Sequence, residues 1–154
     1  MTDKNTQIEV HTYNWGPCLI KVNILEDFRN KLLEEAKKTE IDFKDKLAGQ
    51  LASERGYSEK QREIIIPYLS PYLGVYDEAF QRFQNKRFER KPEYTLTALW
   101  CNFQRPHEFN PPHDHDGKLS FVIYLSIPEP LKKENDEYKG RSCGPGGIQF
   151  MYGE

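Results

Sequence analysis

The apolar positions of the chain follow a helical spacing in the first half and a strand-like alternation in the second. From residue 25 to residue 38 apolar side chains recur every three or four positions, which predicts an amphipathic helix. A second helical stripe begins after Ser58 and continues to about residue 85, with an expected kink or fresh start at Pro71. Capping boxes are predicted at the starts of these helices from the spacing of two residue pairs, Asn23 with Glu26 and Ser58 with Gln61.

Short alternating segments predict strands on both sides of the helices. Two opening strands are expected at Ile8–Val10 and Cys18–Val22, separated by the turn-prone residues 14–17. Two more are expected at 94–103 and 119–127, and a further alternation starts at 147. Residues 42–56 fit either a loop or a weak helix, and residues 128–147 are expected to form a long excursion. Helices followed by antiparallel-looking strands indicate an α+β class.

Composition narrows the class of protein further. The chain has 154 residues with 22 basic and 24 acidic side chains, so its formal net charge of -2 argues against nucleic acid or an anionic membrane as a partner. Two Trp, nine Tyr and nine Phe residues supply apolar area for the core of one modest domain. The sequence shows no apolar segment long enough to span a membrane and no signal peptide. The three cysteines are widely separated, which indicates reduced thiols. We therefore expect a cytoplasmic protein.

The polar loop from Gln104 to Gly117 contains three of the four histidines. If His113 and His115 lie in an extended segment, both side chains face one side and can share an ion. Imidazole and carboxylate donors suit Fe(II), Mn(II) or Zn(II). On spacing alone the alternative is equally good, namely a solvated polar turn before a strand. His107 and His11 are more simply explained as structural residues.

Three segments resemble the 2-oxoglutarate/Fe(II)-dependent oxygenases related to the prolyl hydroxylases, a family with bacterial and phage-borne members. They are Trp100–Asn102, Asn110–Gly117 and Leu119–Pro128. The His-x-His motif followed by a strand that ends at proline carries most of this resemblance, although Phe121 stands where the family pattern has Gly. Leu47-Ala48-Gly49, followed by Glu54, also looks like a feature of the family.

The resemblance implies a double-stranded β-helix, or jelly-roll, with the helices packed on it. We therefore expect a single oxygenase-like domain over residues 1–154, with helical support at about 23–91 and a β-core at about 92–154 together with the N-terminal strands. The family's later histidine ligand and its cosubstrate-binding arginine have no clear counterpart after Asp116. The expected jelly-roll is accordingly incomplete, as in a fragment, a degenerate paralogue or a chain that completes its site with another.

By its position in the motif, His113 is the first iron ligand that the resemblance implies. The family usually has His-x-Asp, so the second ligand is either His115 or Asp116. We favour His115, which extended geometry places beside His113, and keep Asp116 as the reserve ligand. Asn102 and Tyr124 are candidates to bind the 2-oxoglutarate carboxylates, although strand-end hydrogen bonding and packing explain them as well.

The expected function is thus hydroxylation of a C–H bond by an Fe(II)- and 2-oxoglutarate-dependent dioxygenase. A small-molecule or peptide substrate fits this chemistry, and the sequence leaves the substrate's identity and a homo-oligomeric state open. The alternative is a non-catalytic β-domain that binds a metal or a partner as a structural module, with the polar loop as its contact surface.

Overall fold

The computed structural model describes residues 10–13, 16–43, 49 and 51–152 of the chain. These residues form a small α+β arrangement of three helices and two separate two-stranded sheets. The elements are β1 (Val10–Tyr13), β2 (Leu19–Val22), α1 (Glu26–Lys38), β3 (Glu54–Gly56), α2 (Glu59–Gln84), β4 (Trp100–Asn102) and α3 (Glu129–Glu137). The described chain divides into two compact units, one up to Ser120 and one from Phe121 onward.

The second predicted opening strand is confirmed as β2, whereas the first overlaps the observed β1 only at Val10. β1 and β2 pair antiparallel, with Val10 opposite Val22 and Tyr13 opposite Leu19. Of the predicted opening segments, Ile8 and Glu9 lie outside the described residues, as do Asn14 and Trp15 of the turn.

The first predicted helix is confirmed as α1, whose Phe28, Leu32 and Ala36 are 3% exposed or less. These residues are four positions apart, so they form one apolar stripe that packs in the core. The predicted Asn23 capping box is wrong, because the N-cap position is Leu25 and no side chain caps it. Instead, the Leu25 amide donates to the Tyr72 hydroxyl of α2 at 2.8 Å. A tertiary contact replaces the local cap.

The second predicted helix is confirmed as α2, which begins after the Ser58–Gln61 capping box. It ends at Asn85, whose left-handed φ of 48° allows the last carbonyl groups to be satisfied. Of the kink or fresh start expected at Pro71, the fresh start is wrong, since one helix runs through Pro67 and Pro71, and the kink stays a prediction. Both prolines are exposed, so the carbonyl groups that lose an amide partner face water.

The core of the first unit lies between α1, α2 and the segments that flank β3 and β4. Tyr57 follows β3, is 3% exposed, and donates from its hydroxyl to the Leu32 carbonyl of α1 at 2.9 Å. Burial raises the pKa of this phenol. Its backbone amide donates to the Leu99 carbonyl at 2.9 Å, which brings β4 onto the same core. The buried apolar residues are Phe28, Leu32, Ala36, Leu51, Tyr57, Ile65, Leu69, Tyr72, Ala79 and Leu99.

The prediction of a double-stranded β-helix is wrong for the described residues. Of the strand predicted at 94–103, only Trp100–Asn102 pairs, and residues 119–127 and 147–152 contain no strand. An alternating segment forms a stable strand only with a hydrogen-bonded neighbour and a cover for its apolar face. The second unit provides no such cover, since none of its described residues is buried.

The second unit contains α3 in the region expected to be an excursion. Pro130 stands in the first turn, where a missing amide costs nothing, and Lys132 pairs with Glu129 at 3.0 Å. Several large apolar side chains of this unit are exposed by 37% or more: Phe121, Val122, Tyr124, Ile127, Tyr138, Ile148, Phe150, Met151 and Tyr152.

Candidate metal centre

The site is built on the β3–β4 ribbon, formed by strands Glu54–Gly56 and Trp100–Asn102. The strands pair antiparallel with Glu54 opposite Asn102 and Gly56 opposite Trp100. Since directly opposed residues share a face, Trp100 and Asn102 lie on the face of Glu54 and Gly56, and Cys101 lies on the other face opposite Arg55. The sequence left residues 42–56 undecided between loop and helix, and neither option included this strand.

Beyond Phe103 the chain enters the polar loop Gln104–Gly117, which we call the histidine loop. Its turn is held by Glu108, whose carboxylate accepts the Ala52 amide at 2.9 Å and the Arg105 amide at 2.8 Å. Gln104 also donates to the Glu108 carbonyl oxygen. His107 inside this turn has a φ of 67° and an exposed side chain. One carboxylate therefore closes the turn and ties the loop to the segment that enters β3.

Asn110 of the loop also lies close to the backbone at Gly49. A Cβ atom there would lie 2.0 Å from Oδ1 of Asn110 in the loop and 3.2 Å from Oε1 of Glu54. Glu54 itself is 2% exposed. Only a residue without a side chain lets Asn110 and Glu54 come this close to the backbone. Of the predicted Leu47-Ala48-Gly49 feature, Leu47 and Ala48 lie outside the described residues.

The histidine loop brings His113 and His115 together. Their ring centroids are 4.7 Å apart and their planes are tilted by 51°. Both side chains are exposed. No strand carries them: residues 113–116 have neither helix nor strand and lie between a bend at Pro112 and Gly117, whose φ is 101°.

Aromatic rings support this pair from the ribbon. His115 stacks on Trp100 with a centroid distance of 5.6 Å and an interplanar angle of 13°. Trp100 in turn stacks on Phe43 at 5.9 Å and 21°. The Phe43 amide donates to the Glu54 carbonyl at 3.0 Å, so Phe43 is itself fixed along β3. A continuous series of rings thus leads from the ribbon to the loop.

The hydrogen bond of His113 defines which of its nitrogen atoms is available. Nδ1 of His113 lies 2.7 Å from the Pro111 carbonyl oxygen, which can only accept, so Nδ1 carries the proton. The neutral ring then presents the lone pair of Nε2. Histidines that bind metal ions commonly donate their other nitrogen to a carbonyl or carboxylate in this way, which fixes tautomer and orientation.

The pair has the donor chemistry of a transition-metal site but only two members. Among residues 10–13, 16–43, 49 and 51–152, no group of three or more His, Cys, Asp or Glu side chains is arranged to hold a metal ion. Asp116 is exposed and belongs to no such group, so its role as reserve ligand stays a prediction. Two imidazoles fit part of the coordination sphere of Fe(II), Mn(II) or Zn(II) and leave the remaining positions for other ligands.

The two predicted cosubstrate residues lie in different units. Asn102 is exposed at the end of β4, on the same face of the ribbon as Trp100. Tyr124 belongs to the second unit and donates from its hydroxyl to the Gly146 carbonyl at 3.0 Å. Their proposed roles stay predictions.

The opposite face of the ribbon has different chemistry. Burial raises the pKa of the Cys101 thiol, and the nearby Arg55 guanidinium opposes this only in part. Arg55 stands over the Phe103 ring at 5.2 Å from its centroid. A protonated, partly buried thiol is a poor nucleophile and a poor metal ligand, which agrees with its prediction as an inert cysteine.

Sequence reasoning missed two residues of this site. Glu108 has no role in the sequence analysis, and its hydrogen bond from the Ala52 amide involves a segment 56 residues away in the chain. Trp100 was noted only within a motif, and its stacking on His115 depends on how the loop folds back. Trp100 lies in the predicted strand 94–103 shortly before the histidine-rich loop, and this position alone does not indicate the contact.

Comparison of the chain with protein-family models, with curated proteins and with solved structures finds no match. None of the helices within the described residues combines the length and the apolar character required to cross a bilayer.

Proposed function

We propose that this chain is an Fe(II)- and 2-oxoglutarate-dependent dioxygenase whose metal ion is held by His113 and His115. The observation that carries the proposal is the side-by-side position of the two imidazole rings, 4.7 Å between centroids, with Nδ1 of His113 already bound to the Pro111 carbonyl. A hydrogen bond from Nδ1 to a carbonyl is the arrangement that metal-binding histidines commonly have.

The structure supports His115 rather than Asp116 as the second ligand. His115 has its ring beside that of His113 and stacks on Trp100. Fe(II) accepts imidazole nitrogen donors, and two protein ligands leave positions for a bidentate cosubstrate and O₂. When bound, Fe(II) with 2-oxoglutarate and O₂ supplies the oxidation of a C–H bond to an alcohol.

The residues of the chain have distinct tasks in this proposal. The Pro111 carbonyl accepts the proton of His113 Nδ1, so that Nε2 would be the nitrogen that binds the ion. Trp100, which itself stacks on Phe43, covers one face of the His115 ring. Asn102, on the face of Trp100, can donate its amide to a carboxylate of 2-oxoglutarate.

The exposure of both histidines also bears on the substrate. A pair on an open loop admits a small molecule or a peptide side chain without a conformational opening. The compact fold of the first unit then acts as a support, and Glu108 holds the loop on it.

The test uses the full chain under anaerobic conditions. Addition of Fe(II) and then 2-oxoglutarate should produce the visible charge-transfer absorption of a chelated complex, and admission of O₂ should yield succinate. The His113→Ala variant should lose iron by metal analysis, with a fall in affinity larger than the roughly 10–100-fold typical for loss of a ligand's outer hydrogen-bond partner. Its secondary structure should be unchanged, because the side chain is exposed.

A matched control is the His107→Asn variant. It removes an imidazole from the same loop, and Asn tolerates the left-handed φ of this position. This variant should bind iron as the native chain does. Iron retention by His113→Ala, or equal loss in both variants, would remove the pair from the proposed site.

A second candidate function is a non-catalytic module that binds a metal ion or a partner. It is favoured by the two-membered ligand set within the described residues and by the absence of the expected jelly-roll there. Stoichiometric metal binding without any 2-oxoglutarate-dependent absorption or succinate would select this candidate over the oxygenase.

A further inference from the structure

Trp100 is the residue through which the ribbon reaches the histidine pair. Its indole lies nearly parallel to the His115 ring, with an angle of 13° and a centroid distance of 5.6 Å. The His113 ring is tilted by 51° to His115, and its own restraint is the Pro111 carbonyl. Each of the two histidines is therefore held by a different kind of contact.

The indole is better fixed than the imidazole that it supports. Trp100 is half-buried in β4, opposite Gly56, and its neighbour Leu99 is 8% exposed. It also stacks on Phe43. His115, by contrast, lies in an exposed segment without helix or strand. Since an exposed side chain loses rotamer freedom when it binds an ion, a stacking partner that restricts it beforehand strengthens binding.

We propose that Trp100 is a positioning residue of the metal site: its indole holds the His115 ring in the orientation that pairs it with His113. This inference rests on the proposed function, since it needs the pair to bind a metal ion. Loss of one aromatic stacking contact corresponds to roughly three- to tenfold in affinity. Phenylalanine at this position should keep most of that effect, and leucine should lose it.

The experiment titrates the full chain and its variants with Co(II) alone, which avoids any dependence on 2-oxoglutarate. Trp100→Phe should bind within about twofold of the native chain, whereas Trp100→Leu should bind roughly three- to tenfold more weakly, with an altered visible spectrum of the bound ion. The matched control is Phe103→Leu, which removes an aromatic ring from the opposite face of the ribbon, where it contacts Arg55. This control should bind as the native chain does.

A second measurement remains decisive if Trp100→Leu does not fold. In the native chain, stacking on the indole should shift the ring protons of His115 upfield of those of His113 and His107 in the NMR spectrum. Trp100→Phe should retain a smaller upfield shift. Equal shifts for the three histidines, or equal Co(II) affinities for the native chain and Trp100→Leu, would overturn the positioning role. Absence of Co(II) binding by the native chain would instead overturn the proposed metal site itself.

Discussion

Gly56 lies where the backbone of β3 passes the ring of Phe43, which makes it a sensitive position for testing the packing beneath the site. A Cβ atom at this position would lie 2.7 Å from Cδ2 of Phe43 and 3.2 Å from Cε2. Carbon atoms pack at about 3.5–4.0 Å, so the Gly56→Ala methyl group has to displace the ring by roughly 1 Å. Because Phe43 stacks on Trp100, the displacement would be passed toward the histidine pair.

Forcing a methyl group into packed surroundings costs about 1–3 kcal/mol. Part of this cost is offset, because alanine reduces the conformational entropy of the unfolded chain by about 0.4–1 kcal/mol in equivalent free energy. We therefore expect Gly56→Ala to lower the free energy of unfolding by roughly 1–2 kcal/mol.

The matched control is Gly74→Ala, in the interior of α2. A Cβ atom there meets nothing within 4 Å. Alanine in a helix interior is favoured over glycine by about 0.5–1 kcal/mol, so this variant should be more stable than the native chain. The same chemical change should thus have opposite signs at two positions of one chain.

Urea unfolding measures both effects. With a urea dependence of about 1–3 kcal/mol per molar, the two midpoints should differ by roughly 1 M. Near-ultraviolet circular dichroism should also change for Gly56→Ala, because the Phe43–Trp100 stack is disturbed, and should not change for Gly74→Ala. Equal midpoints for the two variants, or a stabilised Gly56→Ala, would refute the packing argument.

Two further predictions concern buried or anchoring carboxylates. Glu108→Ala removes the acceptor of two backbone amides and should speed hydrogen exchange at Ala52 and Arg105; unchanged exchange would show that Glu108 does not hold the histidine loop. Glu35 is 3% exposed, and chiefly the hydrogen bond from Lys38 lowers its pKa below the ordinary 4.5. The stability that this interaction contributes should be present above pH 4.5 and lost as the pH falls through the folded-state pKa of Glu35. Glu35→Gln should therefore weaken the fall of the unfolding free energy at acid pH. An identical fall in the variant and the native chain would contradict this.

The two long helices show how far local information reaches in this chain. The apolar spacing from residue 25 to residue 38 predicted α1, and the Ser58–Gln61 pair predicted the start of α2, because these signals act within one or two turns. The Asn23 box failed for a non-local reason, since the Tyr72 hydroxyl satisfies the Leu25 amide across the helix interface. Alternation at 119–127 also failed, because alternation specifies a strand only where a partner strand covers it.

The features of the candidate site also fall into those that local sequence determines and those that depend on tertiary contacts. The sequence by itself determined that His113 and His115 stand one residue apart in a stiff, proline-flanked loop, which limits how far the two rings can separate. Only the tertiary structure decided that this loop folds back on the ribbon, with Glu108 bound to Ala52 and His115 stacked on Trp100. The reason is physical: hydrogen bonds and ring contacts between residues distant in the chain depend on the packing of the whole unit, and no short pattern of residues encodes them.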